Sequence, residues 1–209
     1  MELKHILPSD IEKESFRIIK QELDIMGKSI SDDLEPTVIR AIHTTADFDY
    51  ADTLVFSDNV IDKAKAAIQN GAHIVTDTNM TLAGINKKTL SRYGGEVHCF
   101  MADEDVSTLA KARQVTRAVV SMEKALNIDA PLIFAIGNAP TALIRLRELI
   151  DENKLRPELI IGVPVGFVNV VEAKELILET DIPYIINRGR KGGSTVAAAI
   201  CNSILYNMT

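Results

Sequence analysis

The chain has 209 residues, of which 46% are hydrophobic, and these values predict one domain, residues 1–209, with one sizeable core. A formal net charge of −6, with no basic stripe and no tryptophan, argues against nucleic acid as the main partner. No apolar run approaches membrane-spanning length and the N-terminus lacks a signal-peptide pattern, so we expect no membrane association and a soluble, cytoplasmic protein.

A helical N-terminal region is predicted first. The first helix carries an apolar stripe at helical spacing, formed by Phe16, Ile19, Leu23 and Met26. A second helix is predicted from about Glu35 to His43, because Pro36 suits the first turn of a helix.

Six short apolar runs follow and are predicted to be buried strands, at residues 53–56, 73–76, 96–100, 132–136, 159–163 and 182–186. Most are continuous rather than alternating, which is typical of a sheet covered on both faces. Stretches of helical period lie between them, around residues 60–68, 115–126, 170–177 and 196–204. This alternation predicts an α/β fold, with a mainly parallel sheet, helices on both faces and a helical N-terminal region.

His43 is the first candidate for chemistry, since it lies where the second helix gives way to a polar stretch. Histidine has an unperturbed pKa of about 6.5, so it can exchange a proton near neutrality. Facing a pocket, it would be a general acid or base, whereas a partly buried structural histidine is the alternative. Arg40 precedes it by three residues and is expected to share its face.

Loops that follow parallel strands are where a ligand site is expected. In residues 137–143, Gly137 would allow close backbone approach and Asn138 could cap a helix whose amides suit a carboxylate or phosphate, although an ordinary turn is equally consistent. The segment Gly166-Phe167 predicts either a hydrophobic wall for a large flat ligand or simple core packing.

Further polar candidates follow other strands. The loop 187–195 places two arginines and Lys191 among three glycines at a helix start, a composition that favours an anion. Asp77 could hold an amide or pyrrole N–H, or cap the next helix. Arg113 and Arg117 are predicted one turn apart on the same helix, so that one could face a site and the other solvent.

Several motifs of other protein classes are missing from the sequence. The histidines at positions 5, 43, 73 and 98 are scattered, without a His-Glu-x-x-His or Cys-x-x-Cys motif, so no metal site is expected. There is no Gly-x-Ser-x-Gly elbow, Walker loop or dinucleotide fingerprint. Cys99 and Cys201 are expected to be reduced thiols, and no cofactor is expected.

Four motifs, taken together and in this order, closely resemble the precorrin-8X (cobalt-precorrin-8) methylmutase family. They are Arg40-Ala41-Ile42-His43 and residues 136–143, 162–167 and 188–194, and the similarity extends from Ser15 to the C-terminal helix. The resemblance implies an isomerase of cobalamin biosynthesis that moves a methyl group from carbon 11 to carbon 12 of the macrocycle, giving hydrogenobyrinate or cobyrinate. It also implies a homodimer with sites near the subunit interface.

By this resemblance His43 matches the family's catalytic histidine, which would protonate a ring nitrogen and so favour the methyl shift. Such a shift needs no nucleophile and no redox cofactor. The substrate, a corrinoid polycarboxylate, would be bound by Ser15, Arg40, Asp77, Met80, Arg117, Asn138, Gly166, Phe167 and Arg188. Local arginine clusters would let an acidic chain bind a polyanion.

Two other functions stay open on the residues alone. A non-catalytic tetrapyrrole carrier would need the same arginines and apolar wall but no titrating histidine. A nucleotide- or S-adenosylmethionine-dependent transferase would use a similar sheet, but it should carry a glycine fingerprint closed by an acidic residue, which the sequence lacks.

Overall fold

The computed structural model describes residues 7–208, apart from the side chain of Ser9, so His5 lies outside it. Six strands are present: β1 (Leu54–Phe56), β2 (His73–Thr76), β3 (Val97–His98), β4 (Leu132–Ile136), β5 (Leu159–Gly162) and β6 (Tyr184–Asn187). The helices are α1 (Ile11–Ile25), α2 (Glu35–Thr45), α3 (Tyr50–Thr53), α4 (Val60–Gln69), α5 (Asn79–Gly84), α6 (Lys87–Leu90), α7 (Glu104–Arg113), α8 (Arg117–Lys124), α9 (Pro140–Asp151), α10 (Val170–Leu178) and α11 (Ser194–Tyr206).

The six strands form one sheet in the order β1-β6-β5-β4-β2-β3. Every neighbouring pair is parallel except β1 and β6, so the predicted, mainly parallel sheet is confirmed. The strand predicted at 53–56 begins one residue later, because Thr53 ends α3. The strand predicted at 96–100 is reduced to Val97–His98, since this edge strand pairs only with β2 before the chain leaves the sheet.

Helices cover both faces of the sheet, as predicted. In β4, Ile133 packs into a cluster formed with residues of α1, α2, α4 and α11, whereas the next residue, Phe134, packs into a cluster formed with α8, α9 and α10. Full burial of side chains of this size stabilises the fold by roughly 1.5–3 kcal/mol each. The continuous apolar runs of the sequence therefore reflect strands with two buried faces.

The helix predicted across residues 115–126 is wrong in its first part. Helix α7 ends at Arg113, Gln114 adopts a left-handed conformation with φ of 55°, and α8 begins only at Arg117. The break is fixed by Thr116, whose side-chain oxygen accepts a hydrogen bond from the N–H of Val119. The two arginines therefore lie on different helices, and Arg113 pairs with an acidic side chain of α8.

The strand order reverses between β2 and β4. After β2 the chain moves outward to the edge strand β3 and then returns to the other side of β2 to form β4. Ligands of open α/β sheets bind beyond the carboxyl ends of the strands at such a reversal. Among residues 7–208, no helix combines the length and the apolar character needed to cross a membrane.

Candidate functional site

Asp77 joins the two loops at the point where the strand order reverses. It follows β2 and is fully buried, and its carboxylate accepts hydrogen bonds from the backbone N–H groups of Gly137, Asn138 and Ala139 at 2.9, 2.8 and 2.5 Å. Burial raises the pKa of Asp77, while the three donors oppose this rise. The carboxylate thus holds the loop after β4 against the loop after β2.

Two capping predictions are corrected by this arrangement. Asn138 does not cap α9: the N-cap position is Ala139, without a side-chain hydrogen bond, and the side chain of Asn138 is exposed. Asp77 does not cap the helix that follows it, because the hydroxyl oxygen of Thr78 accepts the hydrogen bond from the N–H of Thr81. Asp77 instead accepts hydrogen bonds from the loop that precedes α9, some sixty residues later in the chain.

The loop after β4 also lies against the start of α11. A Cβ atom on Gly137 would come within 2.7 Å of the Cα atom of Ser194, so only glycine fits there. The hydroxyl of Ser194 lies 2.9 Å from that of Thr78. The loops after β2, β4 and β6 therefore meet at one edge of the sheet.

Lys174 anchors the loop after β6 by hydrogen bonds to its backbone. This side chain is fully buried on α10 and donates hydrogen bonds to the carbonyl oxygens of Gly189 and Lys191 at 2.7 and 2.9 Å. Burial lowers its pKa to about 8. The sequence contains one sign of this role: Lys174 falls at helical spacing on the apolar stripe of Val170, Ala173 and Ile177.

The prediction that three cations of this loop serve an anion is wrong for Lys191. Its ammonium donates to the carboxylates of Asp47 and Asp49, at 2.6 Å each, and these hydrogen bonds raise its pKa. The guanidinium of Arg188 is half exposed and lies 3.5 Å from Glu175, while that of Arg190 lies 5.5 Å from the ring centroid of Phe167. Arg188 and Arg190, rather than all three cations, therefore remain as candidates for binding an anion.

His43 lies exposed in the last turn of α2, and its predicted proximity to Arg40 is confirmed. Both side chains contact Phe16: the imidazole meets the ring edge-on at 5.3 Å between centroids, and the guanidinium lies 5.1 Å from the ring centroid. Arg40 also stacks on Tyr206 at 4.9 Å and pairs with Glu12 at 2.9 Å. Contacts on three sides hold this arginine beside the imidazole.

Two clefts contain four of the nine predicted substrate-binding residues, namely Arg40, Met80, Arg117 and Asn138. A groove of about 230 Å³ is lined by Arg40, Thr44, Met80, Gly84, Thr195, Ala198, Ala199 and Asn202. A cleft of about 480 Å³ is lined by Met101, Thr116, Arg117, Ala118, Asn138, Ala139, Pro140, Thr141, Val168 and Asn169. The apolar wall predicted near Gly166 is solvent-facing, because Phe167 is 80% exposed.

Arg117 lies at the second cleft, where its guanidinium donates to the carbonyl oxygen of Met101 at 3.1 Å.

Two other predicted contact residues line neither cleft. Ser15 is on α1, one residue from Phe16, and its hydroxyl donates to the carbonyl oxygen of Ile11 at 2.9 Å. Asp77 is the one predicted contact residue that is fully buried, beneath the loop that carries Asn138.

These features define a doubly wound α/β protein in which Arg40 and Arg117 line two separate clefts and the exposed His43 lies beside Arg40. A family model described as "CbiC: Precorrin-8X methylmutase" matches residues 10–207. The chain belongs to the precorrin-8X methylmutase family, whose members are isomerases of cobalamin biosynthesis.

Individual relatives agree with this assignment. The chain is 44% identical over 207 residues to a cobalt-precorrin-8 methylmutase of Leptospira interrogans, covering 95% of this chain and 93% of the relative. It is 42% identical over 199 residues to one of Priestia megaterium, covering 95% and 88%. A solved structure of a precorrin-8X methyl mutase from Thermus thermophilus superposes with a TM-score of 0.84 at 40% identity, covering 95% of this chain and 97% of that one.

Proposed function

We propose that this protein moves a methyl group from carbon 11 to carbon 12 of precorrin-8X or its cobalt-bearing form, giving hydrogenobyrinate or cobyrinate. The observation that carries the proposal is the exposed imidazole of His43, beside the stacked guanidinium of Arg40, in a chain of the methylmutase family. A carrier of tetrapyrroles would have no use for a proton donor in this position.

His43 is proposed to be the proton donor. A proton given to a ring nitrogen of the macrocycle withdraws electron density from the adjoining carbons, and the methyl group then migrates with its bonding electron pair. Because substrate and product are isomers, the proton returns to the imidazole in each cycle. The exposure of His43 in the last turn of α2 supports this role, since the imidazole is open to a bound ligand.

The acidic side chains of the substrate are proposed to meet the arginines at the site. Arg40 and Arg117 each lie at one cleft, and Arg188 is more than half exposed at the loop after β6. Guanidinium groups bind carboxylates with two parallel hydrogen bonds, which fixes a flexible polycarboxylate in orientation. The remaining proposed contacts are Ser15, Met80, Asn138, Gly166 and Phe167.

Asp77 is proposed to act without touching the substrate. Both of its carboxylate oxygens accept backbone N–H groups of residues 137–139, and the side chain is fully buried. Its part is therefore to hold Asn138 at the rim of the larger cleft. The burial of Asp77 thus supports a positioning role rather than the substrate contact expected from the sequence.

We further propose that two copies of the chain pair, with a site near their interface. Helix α1, which carries Phe16, exposes a row of apolar side chains seven residues apart at Ile11, Ile18 and Ile25. A row of this spacing stays on one side of a helix and suits a helical partner. Sedimentation equilibrium should give twice the mass of the chain, and Ile18→Lys should shift it toward the monomer; a monomeric wild type would contradict pairing.

A cytoplasmic location is proposed as well. Both cysteines are free, and burial raises the pKa of Cys201 to about 12, so its thiol stays protonated and unreactive. Cell fractionation should recover the protein with cytosolic markers, and recovery with secreted proteins would contradict this location.

The reaction is tested with substrate that carries a carbon-13 label in the methyl group on carbon 11. Incubation with metal-free and with cobalt-bearing substrate, followed by NMR, should show the label on carbon 12 for at least one of the two. A corrinoid that binds, as seen in its absorption spectrum, but keeps its label on carbon 11 would favour the carrier. Absence of any spectral change with either compound would contradict the substrate class.

A further inference from the structure

Three potential metal ligands gather at the edge of the sheet formed by β2 and β3. His73 begins β2, His98 ends β3, and Glu96 directly precedes β3. In the parallel pairing, Ile74 lies opposite Val97, so the residues on either side of these two point to the other face of the sheet. His73, Glu96 and His98 therefore share one face, although 20 residues, 77–96, lie between the two strands in sequence.

The ligand atoms of these three side chains lie close enough to share one ion. Nδ1 of His73 is 2.8 Å from Nε2 of His98, the Glu96 carboxylate is 4.0 Å from the same Nε2, and all three atoms lie within 4.8 Å of one another. An ion bound at about 2.0–2.1 Å from two nitrogens in tetrahedral geometry would hold those nitrogens roughly 3.3 Å apart. The two rings need to separate by only about half an ångström to accept it.

The orientation of the rings also suits shared ligation. The two imidazoles are inclined by only 16° with centroids 5.0 Å apart, and their facing nitrogens share a hydrogen bond that a bound ion would replace. Phe100 stacks on His98 at 5.9 Å and restricts its ring. Burial, together with the proximity of His73, lowers the pKa of His98.

We propose that His73, His98 and Glu96 form a binding site for Zn²⁺ or a similar divalent first-row cation, with water as the fourth ligand. Two imidazoles and one carboxylate suit zinc, cobalt and nickel, whereas magnesium and calcium favour oxygen ligands. The Glu96 side chain is 71% exposed, so it is free to swing toward the two nitrogens. The spacing of His73 and His98 in the sequence matches no metal-binding motif. The pairing of β2 with β3 brings the two side chains together.

An ion at this site would fasten the edge strand β3 to β2. The chain that leaves β3 leads directly to Met101, whose carbonyl oxygen accepts the hydrogen bond from Arg117 at the larger cleft. The bound ion would therefore stabilise the wall of that cleft. Because an ion that binds only the folded state raises stability by mass action, its binding should also raise the melting temperature.

The site is tested with untagged, chelator-treated protein and zinc chloride, in the absence of any corrinoid. Calorimetric titration should give one zinc ion per chain and a higher melting temperature. His73→Gln and His98→Gln should each weaken binding by more than about tenfold, and Glu96→Gln should weaken it less. The matched controls are His43→Gln and Glu158→Gln, which change an exposed histidine and an exposed glutamate outside the cluster and should bind zinc as the wild type does.

Equal zinc affinity of the wild type and His98→Gln, or the absence of binding by the wild type, would overturn the proposal. A measurement on the unaltered protein covers the case in which a variant does not fold. Nitrogen-15 NMR of the imidazoles should show zinc-dependent shifts at Nδ1 of His73 and Nε2 of His98. Shifts confined to His43 would likewise overturn it.

Discussion

The ring of Phe16 meets the imidazole of His43 edge-on, at an interplanar angle of 81° with the centroids 5.3 Å apart. The same phenylalanine contacts the guanidinium of Arg40, so one side chain of α1 orients two polar groups of α2. An aromatic edge-to-face contact restricts the plane of the imidazole while the ring stays exposed to an incoming ligand. Proton transfer depends on this kind of orientation.

Replacing Phe16 should therefore impair turnover more than folding. Phe16→Leu keeps an apolar side chain but removes the ring edge, and kcat/KM is expected to fall by about tenfold as His43 loses its orientation. Steady-state kinetics with the methylmutase substrate measures this effect. Phe56→Leu is the matched control, because Phe56 is partly buried against the same core but lies on β1. Equal kcat/KM values for the two variants would contradict an orienting role.

Asp77→Asn should destabilise the protein. The amide NH₂ of asparagine would face backbone N–H groups of residues 137–139 and leave at least one of these donors without an acceptor. The free energy of unfolding, measured with urea, should drop by about 1–3 kcal/mol. The exposed residue Asp58 supplies the control, since Asp58→Asn should change it by less than about 0.5 kcal/mol. Similar values for both variants would show that the three hydrogen bonds do not hold the loop.

Lys174 should give the protein a distinct dependence of stability on pH. Its pKa in the folded state is about 8, below the value of about 10.4 for an unfolded chain, so between these values the unfolded chain binds more protons. The free energy of unfolding of the wild type should then rise with pH relative to that of Lys174→Met, by at most about 1.4 kcal/mol per pH unit. Urea titrations between neutrality and about pH 9.5 measure the slopes.

The control for this experiment is Lys63→Met, which removes an exposed lysine of α4. Its stability should follow the wild-type slope across the same range. A Lys174→Met slope parallel to that of the wild type would mean that the buried ammonium keeps an ordinary pKa.

Arg117 and Arg113 offer a paired test of substrate binding. Arg117 lies at the larger cleft, whereas Arg113 pairs with Glu123 outside it. Arg117→Gln should raise the KM for the polycarboxylate substrate by about tenfold, because a charged hydrogen-bonded pair is worth roughly 1.5–3 kcal/mol. Added salt should reduce the difference from the wild type. Arg113→Gln should leave KM unchanged, and a rise of similar size in both variants would point to net charge alone.

The layered fold could be predicted from local patterns, since continuous apolar strands such as residues 132–136 appear only where both faces of a sheet are buried. The break between α7 and α8 could not be predicted. Val115 keeps helical spacing with Val119, so the pattern places it in a helix, and the left-handed conformation of Gln114 leaves no mark in a hydrophobic pattern. The predicted bounds match β2 and β4, whereas the strand predicted at 182–186 is β6, which begins only at Tyr184 because Pro183 has no N–H to donate to a neighbouring strand.

The candidate site was predictable in its residue types but not in their partners. His43 and Arg40 are three residues apart on one helix, so helical geometry alone places them together. Asp77 accepts a hydrogen bond from the N–H of Gly137, and Lys191 forms an ion pair with Asp47. Both contacts join residues that are distant in sequence. Contacts of this kind depend on strand order, which no local pattern encodes.

The most direct test of the proposed function concerns the imidazole of His43. In single-turnover experiments, His43→Ala should bind the corrinoid with the wild-type spectral change but convert it more slowly by at least about a hundredfold, and added imidazole should restore part of the rate. The melting temperature should stay close to that of the wild type, because the side chain is exposed. A His43→Ala variant that converts bound substrate at the wild-type rate would contradict the proton-donor role.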